Sequence, residues 1–141
     1  MGIDRDVRDD ITDVLIRYAT GIDSRDWALF RTCWVDDVDA DYGDIGHWTS
    51  ADDITRWMKD SHEPLGPTMH QLSNIALQAD GDRVTSRTYI HGVIVMPDGG
   101  SAVHAFGWYD DAFVLTEAGW RIARRRFTPA ITELPAALTA G

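Results

Sequence analysis

Hydrophobic residues in the first sixty positions recur at the spacing of amphipathic helices. A first helix with an acidic outer face is predicted by apolar residues at steps of three and four: Ile3, Val7, Ile11, Val14, Leu15, Tyr18, Ala19 and Ile22. Asp23 to Asp26 form a turn that caps a short second helix, Trp27 to Trp34, with Trp27 inward. Val38 to Tyr42 alternates as a short strand does.

A third helix follows, and after it the spacing of hydrophobic residues changes from helical to strand-like. Ser50 to Asp53 has the form of a capping box, and the helix that it starts ends before Pro64. Beyond Pro67 the chain becomes rich in β-branched and aromatic residues and is interrupted by glycine-containing turns. This pattern predicts four long strands: Thr68 to Gln78, Arg83 to Val95, Ala102 to Leu115 and Trp120 to Thr128.

Helices followed by a meander of strands indicate the α+β class. We expect a cone-like, curved antiparallel sheet with three helices packed over it, enclosing a pocket of the kind that binds ligands. The 141 residues fit one domain, 1–141. Residues 129–141, which contain Pro135 and several small residues, are expected to form a loosely held C-terminal arm.

Composition narrows the classes of partner. Acidic residues outnumber basic ones by 23 to 13, giving a formal charge of −10, which argues against nucleic acid and anionic membranes. Arg124, Arg125 and Arg126 run against this trend. The single cysteine, Cys33, cannot form an internal disulfide, and the first residues lack an apolar signal core, so a cytoplasmic protein is expected.

Several short motifs, in order along nearly the whole chain, resemble the SnoaL-like branch of the nuclear-transport-factor-2-like superfamily. They are Tyr18 to Trp27, Asp41-Tyr42, Met69 to Asn74, Arg87 to His91 and Gly119 to Ile122. This branch includes scytalone dehydratases, bile-acid dehydratases and hexachlorocyclohexane dehydrochlorinases. The resemblance implies the fold more specifically than the reaction, because one fold hosts many activities.

The resemblance implies a catalytic pair made by Asp23 and His70. A carboxylate on one imidazole nitrogen fixes the tautomer and stabilises the imidazolium, so the other nitrogen can take a proton near neutral pH. The alternative is that Asp23 caps the second helix and His70 fills the core.

Other site residues are implied by the same resemblance. His91 and Tyr42 match residues that act on a substrate oxygen, and Ile22 stands where scytalone dehydratases have a further tyrosine. Candidates for substrate binding are Tyr18, Trp27, Trp57, Tyr89 and Arg125, since large aromatic side chains line apolar pockets and Arg125 lies near a positive site residue of the dehydrochlorinases. The alternatives are core aromatics, a solvent-facing His91, and surface arginines.

These residues predict an enzyme that abstracts a proton from a small apolar carbonyl compound, or from a polyketide-like or steroid-like one. Dehydration, isomerisation and polyketide cyclisation share that first step, and a lyase is the preferred interpretation. A second class stays open, namely a non-catalytic binding or assembly module such as the small subunit of ring-hydroxylating dioxygenases. In either class a homodimer or homotrimer is expected.

The sequence predicts that neither a metal nor an organic cofactor takes part. No histidine spacing suits zinc or iron, and no glycine-rich loop joins a strand to a helix. Activity is therefore expected to survive prolonged dialysis against a chelator. Loss of activity that one added metal restores would contradict this mechanism.

Overall fold

Three helices pack over one face of a six-stranded sheet in the computed structural model, which describes residues 2–139. The helices are α1 (Arg5–Asp23), α2 (Trp27–Arg31) and α3 (Ala51–His62), and a helical turn α4 (Ala136–Thr139) follows the sheet. The strands are β1 (Trp34–Asp41), β2 (His47–Trp48), β3 (Thr68–Asp80), β4 (Arg83–Val95), β5 (Ala102–Thr116) and β6 (Gly119–Glu133). The sheet is curved and unclosed, so the predicted α+β fold is confirmed.

The helices begin where their capping residues predict. Ser50 accepts a hydrogen bond from the backbone N–H of Asp53 at the start of α3, as a capping box requires. Asp26, not Asp23, accepts from the N–H of Leu29 and caps α2. A Cβ on Gly21 would lie 2.9 Å from the backbone nitrogen of Phe30, so glycine permits the close packing of α2 on α1.

The strand order is β2-β1-β6-β5-β4-β3, and every neighbouring pair is antiparallel except β1 and β6. The hydrophobic core lies between this sheet and the inner faces of the helices. Its largest members are the buried aromatic and branched side chains Trp34, Tyr18, Phe30, Phe113, Ile11, Leu15, Ile22, Ile54 and Ile122. Burial of such side chains is the main force that holds helices on a sheet.

Three β-bulges interrupt the antiparallel ladders of the sheet. One lies in β3 between Ser73 and Ala76, where Asn74 takes a left-handed conformation with φ of 52°. The other two lie in β6, where Ala123 and Ala130 are the extra residues against β5. A bulge increases local twist and turns the following side chains to the other face.

Two strand boundaries differ from the sequence prediction by more than two residues. The helix α2 ends at Arg31, three residues earlier than expected, and Trp34 is already the first residue of β1. β6 continues past Thr128 to Glu133, so the first residues of the expected arm are paired with β5. Pro129 is tolerated there because β1 pairs with β6 only as far as Arg126, and beyond that point β6 is an edge.

The bulge at Ala130 gives a stability prediction. A methyl group on Gly107, opposite this bulge, would lie 2.2 Å from the carbonyl oxygen of Thr128, so backbone must move. Gly107→Ala is therefore expected to lower the free energy of unfolding by about 1–3 kcal/mol. Gly92→Ala in β4 is the matched control, because its nearest contacts would be ordinary ones at 4.0 Å. Urea unfolding curves measure both; equal losses would contradict the proposed constraint.

Candidate functional site

Asp23 and His70 meet where the end of α1 lies against the start of β3. An oxygen of the Asp23 carboxylate lies 2.7 Å from Nδ1 of His70, and the other accepts from the backbone N–H of His70 at 2.8 Å. The side chains are 27% and 10% exposed respectively. The side chains that were predicted to pair are therefore in contact, and the geometry does not support an Asp23 that caps α2.

A network around Arg25 positions this pair. Arg25 has a φ of 56° and its guanidinium donates to the carbonyl oxygens of Ile22 and Gly66 and to Oγ1 of Thr68. Thr68 in turn donates to Asp23 at 2.9 Å. Left-handed backbone is unfavourable for arginine, so these bonds hold the turn after α1 in register with β3.

The contacts of Asp23 determine the tautomer of His70. Burial alone would raise the pKa of Asp23, but the hydrogen bonds from His70 and Thr68 outweigh it and hold the pKa below its ordinary value. An ionised carboxylate only accepts hydrogen bonds, so Nδ1 of His70 carries its hydrogen. Nε2 is left as a free acceptor; among residues 2–139 it has no hydrogen-bond partner.

His70 lines a cavity of about 140 Å³ between the helices and the concave face of the sheet. Its wall combines phenols, imidazoles and apolar side chains: Tyr18, Tyr42, Ile45, Trp57, Met58, His62, His70, Ile90, Gly92, Ile94, Ala105, Tyr109 and Phe127. The Asp23 side of the pair also borders an outer groove beside Ile16, Thr20 and Leu72. His70 therefore stands between the cavity and this groove.

Three phenol groups form a hydrogen-bonded cluster in the cavity wall. The hydroxyl of Tyr18 lies 2.9 Å from that of Tyr42 and 3.3 Å from that of Tyr109. Burial raises the pKa of each phenol above its ordinary value, so all three stay protonated at neutral pH. Two contacts between hydroxyls use at most two of three hydrogens, which leaves one hydrogen for a molecule in the cavity.

Arg125 lies beneath this cluster and does not line the cavity. Both Arg125 and Asp111 are 0% exposed, and the guanidinium donates to the two Asp111 oxygens at 2.8 and 2.9 Å. It also donates to the hydroxyl of Tyr42 at 3.3 Å and lies 3.8 Å from the ring centre of Tyr109. Burial opposes the charge on Arg125, but the Asp111 carboxylate outweighs it and raises the pKa of Arg125 well above its ordinary value. The interpretation of Arg125 as a substrate-binding residue is corrected to one that supports the phenols.

The bulge at Ala123 explains why Arg125 points inward. Ile122 and Phe113 pair on the inner face, and one extra residue in β6 then places Arg125 opposite Asp111 and Phe127 opposite Tyr109. Arg124 and Arg126 remain exposed. The sequence analysis missed Tyr109 and Asp111, although both share the inward phase of β5 with Gly107 and Phe113. A carboxylate in that phase signals a buried cation nearby.

His91 and Tyr89 are not at the site, which corrects their expected roles. His70 pairs with Gly92 across the β3–β4 ladder, so His91 falls on the opposite face of the sheet. There it stacks on Phe106 at 4.3 Å and contacts His104. Tyr89 lies on the same outer face and is 46% exposed. The second imidazole of the cavity is His62, which the sequence analysis missed.

The two tryptophan candidates lie at different depths. Trp57 of α3 lines the cavity and packs against Trp48 with ring centres 4.7 Å apart. Trp27 of α2 lies behind His62, with ring centres 6.1 Å apart, and is not part of the cavity wall. Trp27 is therefore corrected from a lining residue to one that supports His62.

Within residues 2–139, no three His, Cys, Asp or Glu side chains are grouped closely enough to hold a metal ion. No helix among those residues is long and apolar enough to span a membrane.

Comparison with known proteins agrees with this architecture. Residues 5–126 match the model of the SnoaL-like domain. An uncharacterized protein of Mycobacterium tuberculosis is 31% identical over 118 residues, covering 82% of this chain and 80% of that protein. A candidate scytalone dehydratase from Novosphingobium aromaticivorans superposes with a TM-score of 0.83 at 17% identity, covering 91% of this chain and 87% of that one. A type 2 hexachlorocyclohexane dehydrochlorinase, LinA, gives 0.82 at 17% identity, covering 92% and 88%.

The buried ion pair gives a prediction with a matched control on the adjacent residue. Asp111→Ala is expected to lower the free energy of unfolding by about 3–5 kcal/mol, because it leaves the Arg125 charge buried and unpaired. Asp110→Ala removes an equally bidentate but exposed partner of Arg87, so a much smaller loss is expected. Urea unfolding followed by tryptophan fluorescence measures both. Comparable losses would contradict the importance of the buried pair.

Proposed function

This chain belongs to the SnoaL-like domain family, and we propose that it is a cofactor-independent lyase that uses Asp23 and His70 to abstract a proton from a small carbonyl compound. The observation that carries this proposal is the 2.7 Å contact of Asp23 with Nδ1 of a histidine that lines the cavity. That contact prepares Nε2 as a base and stabilises the imidazolium that proton transfer creates.

The first step places charge on an oxygen for which the cavity offers donors. Nε2 of His70 takes the proton from the carbon next to the carbonyl group, and the C–H electron pair forms the enolate. The hydrogen left over in the Tyr18–Tyr42–Tyr109 cluster bonds to the enolate oxygen. Arg125, through its bond to Tyr42, makes that hydroxyl a better donor.

The second step regenerates the base. When the substrate carries a hydroxyl group on the next carbon, the enolate electrons form the C=C bond as the C–O bond breaks. The imidazolium of His70 gives its proton to the departing oxygen, so water leaves and His70 is neutral again. If the proton returned to a different carbon, the enzyme would be an isomerase. If the enolate attacked a second carbonyl group, it would be a cyclase.

The volume of the cavity narrows the substrate class. An engineered apolar cavity of about 150 Å³ takes up benzene, and drug-sized ligands need about 300 Å³ or more. A cavity of about 140 Å³ suits a compact, ring-sized molecule. We therefore favour the small carbonyl compound over the steroid-like or polyketide-like molecules that the sequence also suggested.

Exchange of carbon-bound hydrogen tests the first step without knowledge of the natural substrate. In D2O, the wild-type protein is expected to speed deuterium uptake next to the carbonyl group of small ketones such as cyclopentanone and cyclohexanone. His70→Ala is expected to slow this exchange about 100-fold or more, the usual scale for a general base. Asp23→Asn is expected to fold yet lose most exchange, because its amide donates to Nδ1 and favours the wrong tautomer. Proton NMR measures the rates.

His91→Ala is the matched control, because this histidine lies on the outer face of the sheet. Its exchange rate is expected to equal that of the wild type. Exchange no faster than in buffer for every ketone tested would contradict the proposal. The proposal would also be contradicted if His91→Ala lowered the exchange rate while His70→Ala left it unchanged.

A further inference from the structure

His62, the last residue of α3, brings a second imidazole to the cavity. It is 7% exposed and lines the same wall as His70, with ring centres 6.2 Å apart. The ring of Trp27 packs against it from outside the cavity. This packing and the position at the end of α3 fix where the ring lies.

The hydrogen bonds of His62 define what it offers to a ligand. Nδ1 lies 2.8 Å from the backbone carbonyl oxygen of Met58 and 3.1 Å from Oγ of Ser61. A carbonyl oxygen only accepts, so Nδ1 carries the hydrogen and Nε2 carries the lone pair. Among the residues that the structure describes, none hydrogen-bonds Nε2.

The surroundings of His62 favour its neutral form. Burial lowers the pKa of His62, and the nearby charges of His70 and Arg25 lower it further, against an opposing effect of Asp23 and the bond to Met58. His62 has no carboxylate on Nδ1, whereas His70 has Asp23. His62 therefore stays a neutral hydrogen-bond acceptor.

A ligand that displaces water from the cavity has to offer Nε2 of His62 a hydrogen-bond donor in its place. The phenol cluster matches a carbonyl oxygen, and Nε2 of His70 faces the carbon acid, so neither satisfies His62. We propose that Nε2 of His62 accepts a hydrogen bond from a hydroxyl group of the ligand and thereby selects hydroxylated ring compounds. This inference deepens the proposed function, since it identifies the carbonyl substrate as a hydroxy-carbonyl compound.

Selection of this kind follows from the energetics of buried polar atoms. A ligand without the hydroxyl group fills the same space but leaves Nε2 of His62 desolvated and unpaired. We expect the two ligands to differ in affinity by about tenfold or more. A purely apolar wall would show no such preference.

Phenol and toluene are suitable probes, because both are ring-sized and only phenol donates a hydrogen bond. Their dissociation constants are measured from quenching of tryptophan fluorescence, which reports on Trp57 in the cavity wall. The wild-type protein is expected to bind phenol about tenfold or more tightly than toluene. In His62→Phe the preference is expected to disappear while toluene still binds, which also shows that the variant is folded.

Two further variants make the test specific. His62→Gln, whose side-chain oxygen can accept, is expected to recover part of the preference for phenol. His70→Ala is expected to keep the preference while losing ketone exchange, so failure of the two proposals can be told apart. The inference is overturned if wild type shows no preference, if His62→Phe retains it, or if His70→Ala abolishes it.

Discussion

A guanidinium group that water does not reach must be neutralised inside the protein, and the way Arg125 is neutralised shapes the cavity. Its charge is met by Asp111 and by the hydroxyl of Tyr42, and the rings of Tyr18 and Tyr109 lie against its faces at 4.2 and 3.8 Å. Removing either charge would leave the other without compensation. The ion pair therefore constrains the positions of all three phenols at once.

The cavity combines two kinds of polar group that are prepared in different ways. The imidazoles of His70 and His62 both carry hydrogen on Nδ1 and present Nε2 as acceptors, but only His70 has an anionic partner. The phenols stay protonated and retain one unused hydrogen. This separation of bases from donors is what the proposed proton abstraction requires.

Much of the fold and part of the site could be predicted from the sequence. The change of hydrophobic period at Pro67 separated helices from strands, and the resemblance of short motifs pointed to Asp23, His70, Tyr42 and Tyr18. His91 was misplaced because the resemblance assigned it to the site, while strand alternation defines two faces without saying which face is inner. His62 was missed because a histidine at a helix end carries no local signal of the cavity it reaches. Arg125 was assigned to the substrate rather than to Asp111, because the register between β5 and β6 cannot be read from the sequence.

That bulge has a consequence for reading related sequences. If Ala123 were paired with Ala112 instead of bulged, regular alternation from Ile122 would turn Arg124 and Arg126 inward and Arg125 outward. Which of three consecutive arginines is the internal cation is thus decided by whether the alanine two positions before it is bulged. A related chain that lacks a residue at this point would need no bulge, and its internal arginine would stay in the column of Arg125. Orthologous arginines in this strand are therefore best identified by counting residues back from the aromatic residue that pairs with Tyr109.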